Sequence, residues 1–268
     1  MNKKLGFIGA GKMATAILKG VLKSKVFDAQ NVFISDKNPQ ALEILKKEYN
    51  VNICSSNADV VKNADVVLFA VKPFVLCDVL KEIKPVLKEG QLVLSIAAGI
   101  SISTIKNILG KISIIRIMPN TPALVTAGMS AVCPDENVSE EEKQIALKIF
   151  GSIGEVITSD EKNIDAITAV SGSGPAFFYR FIEDIARAGE KAGLDYKTSL
   201  KLSAQTALGS AKMIMESGID PEQLIVNVTT PGGCTAVGNE VLKNHNITDI
   251  LQETIEETKI RAYELGKQ

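Results

Sequence analysis

A glycine-rich turn near the start of the chain restricts the fold more than any other feature. Gly9-Ala10-Gly11-Lys12-Met13-Ala14 has the form G-x-G-x-x-A, directly after an apolar run at residues 4–8 and directly before a helical pattern at residues 12–24. The first glycine allows a tight strand-to-helix turn, and the second lets backbone approach a pyrophosphate. The small Ala14 lets helix and strand pack closely. An anion then sits at the helix N-terminus, where free N–H groups and the helix dipole favour negative charge. A glycine turn that binds nothing would read the same in isolation. Its flanking elements and the alternation that follows favour dinucleotide binding.

That alternation fills the first 160 residues. Strand-like runs at residues 32–35, 65–71, 91–96 and 112–117 are continuous and β-branched, with helical stretches at 39–47, 57–62, 74–87 and 103–109 between them. Such runs suit parallel strands covered on both faces, so residues 1–160 are expected to form a doubly wound, Rossmann-type α/β domain. From 161 to 268 the pattern is helical, with long stretches at 175–192, 198–217 and 248–266 and a shorter one at 236–242. A bundle of so few long helices leaves wide apolar faces, which points to an all-helical domain that pairs with a second subunit.

Composition excludes several classes. The 268 residues carry 30 Lys+Arg against 31 Asp+Glu, which argues against a nucleic-acid or membrane-surface partner. The long uncharged stretch at residues 117–134 contains Pro119, Pro122 and Pro134, so it reads as buried loop and strand rather than a spanning helix. Cys54, Cys77, Cys133 and Cys234 are scattered, without a C-x-x-C or a spacing to the single histidine, His245, that suits a metal. No metal is expected, and scattered thiols suit a reducing, cytoplasmic compartment.

The choice of nicotinamide stays open on the residues alone. Asp36, at the end of the second strand, favours the ribose hydroxyls of NAD, whereas Lys37 and Asn38 could take a 2′-phosphate. Three further turns follow three successive strands and form one rim: Ala70-Val71-Lys72-Pro73, Ile96-Ala97-Ala98-Gly99 and Met118-Pro119-Asn120-Thr121-Pro122. A second glycine loop, Thr229-Thr230-Pro231-Gly232-Gly233-Cys234-Thr235, precedes a helix and offers N–H groups and hydroxyls to a small anion such as a carboxylate. Ser171-Gly172-Ser173-Gly174-Pro175 reads either as a helix cap or as a segment that closes the site. No G-x-S-x-G, Walker loop or H-E-x-x-H occurs, and His245 lies in a polar, loop-like context. Hydroxyls and backbone donors without a strong acid or base suit hydride transfer to a protonated C=N bond better than to a ketone.

With these motifs in hand, the chain resembles the Δ1-pyrroline-5-carboxylate reductase family over essentially its whole length. The resemblance is carried by FIGAGKMA (7–14), AVKP (70–73), SIAAG (95–99), MPNTPALV (118–125), SGSGPAF (171–177) and VTTPGGCT (228–235). It implies reduction of Δ1-pyrroline-5-carboxylate to L-proline with NADPH, NADH being possible. The implied cofactor residues are Ile8, Gly9, Ala10, Gly11, Lys12, Met13, Ser35, Asp36, Asn57, Ala70, Val71, Lys72, Pro73, Ala97, Ala98 and Gly99. Thr230 and the N–H groups of Gly233 and Cys234 are implied to hold the substrate carboxylate, and the Thr235 hydroxyl the ring nitrogen. The family pairs through interleaved helical domains, often as a decamer of five dimers. Two departures stand out: Asp36 replaces a small or neutral residue common in the family, and Cys234 replaces a Thr or Ala. Two competing readings are a 3-hydroxyacid dehydrogenase-like oxidoreductase and a non-catalytic NAD(P)H sensor. The first needs a lysine early in the second domain, where Lys191 comes late in its helix; the second does not need the hydroxyl-bearing loop.

Overall fold

The structure is a computed structural model that describes residues 3–267. The alternating part runs β1 (Leu5–Ile8), α1 (Lys12–Lys23), β2 (Val32–Ser35), α2 (Pro39–Tyr49), β3 (Asn52–Ile53), α3 (Asn57–Asn63), β4 (Val66–Phe69) and α4 (Pro73–Ile83). It continues through β5 (Leu92–Ser95), α5 (Ile102–Leu109), β6 (Ser113–Pro119), β7 (Gly128–Pro134), α6 (Glu140–Gly151) and β8 (Gly154–Thr158). Helices α7 (Ile164–Ile167), α8 (Gly174–Lys191), α9 (Tyr196–Ser217), α10 (Pro221–Val228), α11 (Cys234–Asn244) and α12 (Ile247–Leu265) complete the chain. It divides into two compact units. One contains the chain up to Ser173 and again from Thr258; the other is Gly174–Glu257. The sequence pattern changes earlier, at residue 160, because the turn after β8 is already helical.

The strands form a single sheet in the order β3-β2-β1-β4-β5-β6-β7-β8. Strand order reverses between β1 and β4, which opens a crevice at their carboxyl ends. The pairs from β3 to β6 are parallel, whereas β7 runs antiparallel to β6 and β8 parallel to β7. The connection at residues 120–127 explains this reversal: it is only a 3₁₀ turn, too short for a parallel crossover, which needs roughly a dozen residues.

Alternation along each strand feeds two cores. Val66, Leu68, Leu92, Leu94, Ile115 and Ile117 face one side, where they meet Ile17, Leu18 and Val21 of α1 and Ile149 and Phe150 of α6. Val67, Phe69, Val93 and Ile114 face the other, against Leu76 and Leu80 of α4 and Ile105 of α5. Both faces are thus dry, as a parallel sheet requires. Helix α6 starts with a complete capping box between Ser139 and Glu142.

Among the described residues, one charged group penetrates this apolar interior. Arg116 on β6 is buried and donates from Nη1 to Glu161 Oε1 at 2.9 Å. The same oxygen accepts the Ile102 N–H at 2.8 Å, so Glu161 ties the start of α5 to the sheet. The strand partner of Arg116, Cys133, is fully buried, and burial pushes that thiol up to about 11, against the pull of the Arg116 guanidinium.

In the helical unit α8 and α9 pack as an antiparallel pair. Ser199 and Ser203 are buried at their contact, and Tyr196 donates its hydroxyl to Glu183 Oε2 at 2.6 Å. Most large apolar side chains of this unit are nevertheless exposed: Phe178 is 64%, Ile185 59%, Met215 70% and Val237 61% exposed. These faces need a partner to leave water, since continuous apolar patches of this kind mark interfaces.

Removing the Glu161 carboxylate strands Arg116 in the core. Glu161→Ala is expected to cost about 2–3 kcal/mol, somewhat below the usual range for a wholly buried pair because Glu161 is part-exposed. Glu161→Gln, which keeps an oxygen for both donors, should lose less than half of that. Urea unfolding at fixed protein concentration measures both; equal losses, or none, would contradict this role.

Candidate functional site

The turn from β1 to α1 is pinned from both sides. Gly9 adopts φ +107°, and a Cβ there would lie 2.7 Å from the Ala70 carbonyl oxygen at the end of β4. Its N–H donates to the Ser35 carbonyl at the end of β2 at 2.8 Å. No other residue fits this position, because both its backbone conformation and its contact with β4 exclude a side chain. Gly11 differs: its φ is −70° and a Cβ would meet nothing within 4 Å. Space, rather than strain, is kept open there. No side chain caps the start of α1, and no acid occupies its first turn, so its N–H groups stay open to an anion.

These groups border a cavity of about 840 Å³ over the carboxyl ends of β1, β2, β4, β5 and β6. Of the sequence-predicted residues, Gly9, Gly11, Lys12, Met13, Asp36, Asn57, Ala70, Val71, Lys72, Pro73, Ala97 and Ala98 line it. Ile8, Ala10, Ser35 and Gly99 do not. Ser35 is buried beneath the wall and donates its hydroxyl to Asn57 Oδ1 at 2.8 Å, while Asn57 Nδ2 donates to Glu82 at 3.0 Å. Ser35 therefore orients Asn57 rather than facing the cavity. Gly99 packs against the end of α12, where a Cβ would approach the Leu265 carbonyl oxygen to 3.1 Å.

The lining also includes Lys37, Ile96, Met118, Pro119 and Thr121, all in turns recognised in the sequence, Leu124 from the 118–125 motif, and Val75 and Val79, which no motif covers. The i, i+4 spacing of Val75 and Val79 on α4 was the available signal. Asn120 does not line the cavity. It accepts the Met129 N–H at 2.9 Å and donates to the Ser171 carbonyl and hydroxyl at 3.2 and 3.3 Å. Ser171 lies in a wide helical turn, Thr168–Gly172, that continues the helical path begun at Ile164. Ser171 and Gly172 thus belong to a widened turn of a kind often found at functional sites, whereas Gly174 and Pro175 already open α8.

Three lysines at the cavity, Lys12, Lys37 and Lys72, are exposed and make no ion pair among the described residues, while Asp36 is the one carboxylate that lines it. The balance favours a polyanionic ligand. A dinucleotide fits these residues: donors at a helix start, a Cβ-free approach at Gly11, excess positive charge, and small apolar walls at Ala70, Ala97 and Ala98.

The second glycine loop lies in the helical unit. The Gly233 N–H donates to the Thr230 carbonyl at 2.9 Å, closing a type II turn with Pro231 second and Gly232, at φ +73°, third. The Gly233 donor is thus used inside the loop. Gly233 then serves as the N-cap of α11, and the first intrahelical bonds there run from Ala236 and Val237 to its carbonyl. That leaves the N–H groups of Cys234 and Thr235 directed outward. Thr229 is fixed, donating to the Ile225 carbonyl at 2.6 Å and accepting from Asn239 at 3.1 Å. The side chains of Thr230, Cys234 and Thr235 are exposed.

Comparison with known proteins bears on both sites. Residues 161–265 match the family described as pyrroline-5-carboxylate reductase dimerisation, and residues 4–99 match that described as NADP oxidoreductase, coenzyme F420-dependent. Pyrroline-5-carboxylate reductase of Methanosarcina acetivorans is 37% identical over 267 residues, spanning 99% of each chain. The structure of a pyrroline-5-carboxylate reductase from Coxiella burnetii superposes with a TM-score of 0.94 at 35% identity, over 99% of each chain. The crystal structure of the Plasmodium falciparum pyrroline carboxylate reductase, which has NADP bound, superposes with a TM-score of 0.88 at 34% identity, over 99% of this chain and 98% of that one.

The two glycines of the first turn separate folding from binding. Gly9→Ala should destabilise the protein by about 1–3 kcal/mol, from strain and overpacking. Gly11→Ala should leave thermal stability of the free protein within about 1 °C yet weaken dinucleotide binding tenfold or more, because only the ligand approaches there. Full affinity in Gly11→Ala, measured by calorimetry, would contradict the placement of the pyrophosphate.

Proposed function

The chain belongs to the pyrroline-5-carboxylate reductase family, and we propose that it reduces Δ1-pyrroline-5-carboxylate to L-proline with the residues of the two loops described above. The enzyme is an NAD(P)H-dependent oxidoreductase of proline biosynthesis. NADPH is its cofactor, and when bound the reduced nicotinamide supplies a hydride. The residue assignment rests on two observations: the pinned β1–α1 turn, and the start of α11, where the N-cap Gly233 brings no side chain and no capping hydrogen bond.

Residues of the sheet unit hold the dinucleotide. The N–H groups at the start of α1 take the pyrophosphate, with Gly11 giving the approach. Ala70–Pro73 and Ala97–Ala98 present small surfaces on which the nicotinamide ribose and ring rest, with Asn57 held in orientation by Ser35. In the helical unit the type II turn presents Thr230 and the N–H groups of Cys234 and Thr235 to the substrate carboxylate, with Gly233 as the side-chain-free N-cap between them. The Thr235 hydroxyl bonds the ring nitrogen, which ends protonated in the amine product as C5 gains hydrogen. A protonated imine carries its own positive charge, so no strong general acid is required, and most of the rate comes from positioning.

The helical unit is the dimerisation domain of the family, and its exposed apolar faces support that pairing. The family's further assembly into a decamer, and a cytoplasmic location, are part of the same reading. No helix among the described residues is long and apolar enough to cross a membrane.

Purified protein should consume NADPH only when Δ1-pyrroline-5-carboxylate is added, and should form proline in equal amount. Thr235→Ala should lower kcat about 10²-fold, the scale of one positioned donor, while Thr235→Ser stays within about fivefold of wild type. Unchanged turnover in Thr235→Ala would remove the hydroxyl from the mechanism. Cofactor binding without imine reduction would favour a sensor.

A further inference from the structure

Asp36 stands where a carboxylate after the second strand ordinarily takes the ribose hydroxyls and repels a 2′-phosphate. In this protein both of its oxygens are engaged by backbone. Oδ2 accepts the Ala10 N–H at 2.6 Å, and Oδ1 accepts the Asn38 N–H at 2.7 Å. The first bond ties the end of β2 to the phosphate loop itself. The second turns the chain into α2, where Asn38 in its turn accepts from the N–H groups of Gln40 and Ala41.

Two consequences follow from this geometry. Ala10 does not line the cavity, and its N–H is spent on Asp36, so Asp36 shapes the loop that receives the pyrophosphate rather than leaving that donor to the ligand. A carboxylate bonded to two N–H donors also has its charge locally compensated, and such bonds are short and strong. Next to it, Lys37 lines the same cavity, is exposed, and has no acidic partner among the described residues. Lys37 follows the end of β2, whereas Lys12 sits at the start of α1.

We propose, building on the cofactor reading above, that Asp36 is a positioning residue that braces the phosphate loop without choosing between nicotinamide dinucleotides, and that the Lys37 ammonium makes the specificity contact with the 2′-phosphate. The acid that by position should select NAD is thereby removed from selection. Discrimination rests on a single point charge.

Calorimetric binding of NADP⁺ and NAD⁺, together with hydrogen exchange at the Ala10 amide in the free protein, tests both halves. Asp36→Ser should weaken both dinucleotides by a similar factor, about tenfold for a lost charge-assisted bond, and speed exchange at Ala10. Asp36→Asn, which keeps an oxygen acceptor, should recover most of that loss. Lys37→Gln should weaken NADP⁺ about tenfold and lessen its salt dependence, with NAD⁺ and Ala10 exchange unchanged. Asp36→Ser overturns the proposal if it shifts the NADP⁺/NAD⁺ ratio, or if it leaves affinity and Ala10 exchange untouched. Equal effects of Lys37→Gln on both dinucleotides overturn it too. Wild-type protein that binds neither dinucleotide would instead reject the cofactor reading, a result distinct from bound dinucleotides with the wrong variant pattern.

Discussion

The site depends on one constraint: at Gly9 the chain must leave β1 with almost no room on either side. A Cβ would meet the Ala70 carbonyl, and the N–H is committed to the Ser35 carbonyl. Because β1 sits between β2 and β4, those two contacts tie the loop to both neighbouring strands at the point where strand order reverses. The cavity, the open start of α1 and the placement of Asp36 follow from that fixed turn. Loosening it would disturb every wall of the crevice at once.

Much of this was legible in the chain. The β1–α1 turn, β2, β4, β5 and β6 were evident because continuous β-branched runs bounded by small or polar residues have few other uses in a neutral protein. The long helices α8, α9 and α12 were evident from their length. What escaped has physical reasons. β3 is two residues long, too short for a periodic signal. β7 mixes Gly128, Ser130 and Cys133 with a proline at its end, and so resembles a loop until pairing with β6 reveals it. β8 carries exposed residues on an edge strand. Helix α6 was missed too, although the Ser139–Glu142 box and the stripe Ile145, Ile149 and Phe150 carry a signal for it.

The site was legible by type more than by contact. Turn positions lining the cavity came directly from the motifs, but hydrogen-bond direction did not. Sequence alone could not show that Ser35 points at Asn57, that Asn120 clamps Ser171, or that the Gly233 donor closes its own turn. Each depends on which of several nearby acceptors is geometrically available once the loops have met. Asp36 is the clearest case. Its position invites a role at the ribose, and only the 2.6 Å bond to Ala10 reveals the other use of the same carboxylate.

In the proposed reaction, catalysis rests on positioning, with backbone donors and hydroxyls in place of a strong acid. Its most direct test follows the transferred hydrogen. With NADPH carrying deuterium at the reactive face of nicotinamide C4, and Δ1-pyrroline-5-carboxylate as acceptor, proline should contain one deuterium, at C5, by mass spectrometry and NMR. Proline formed without the label, or label lost to solvent while NADPH is consumed, would contradict direct hydride transfer and the account with it.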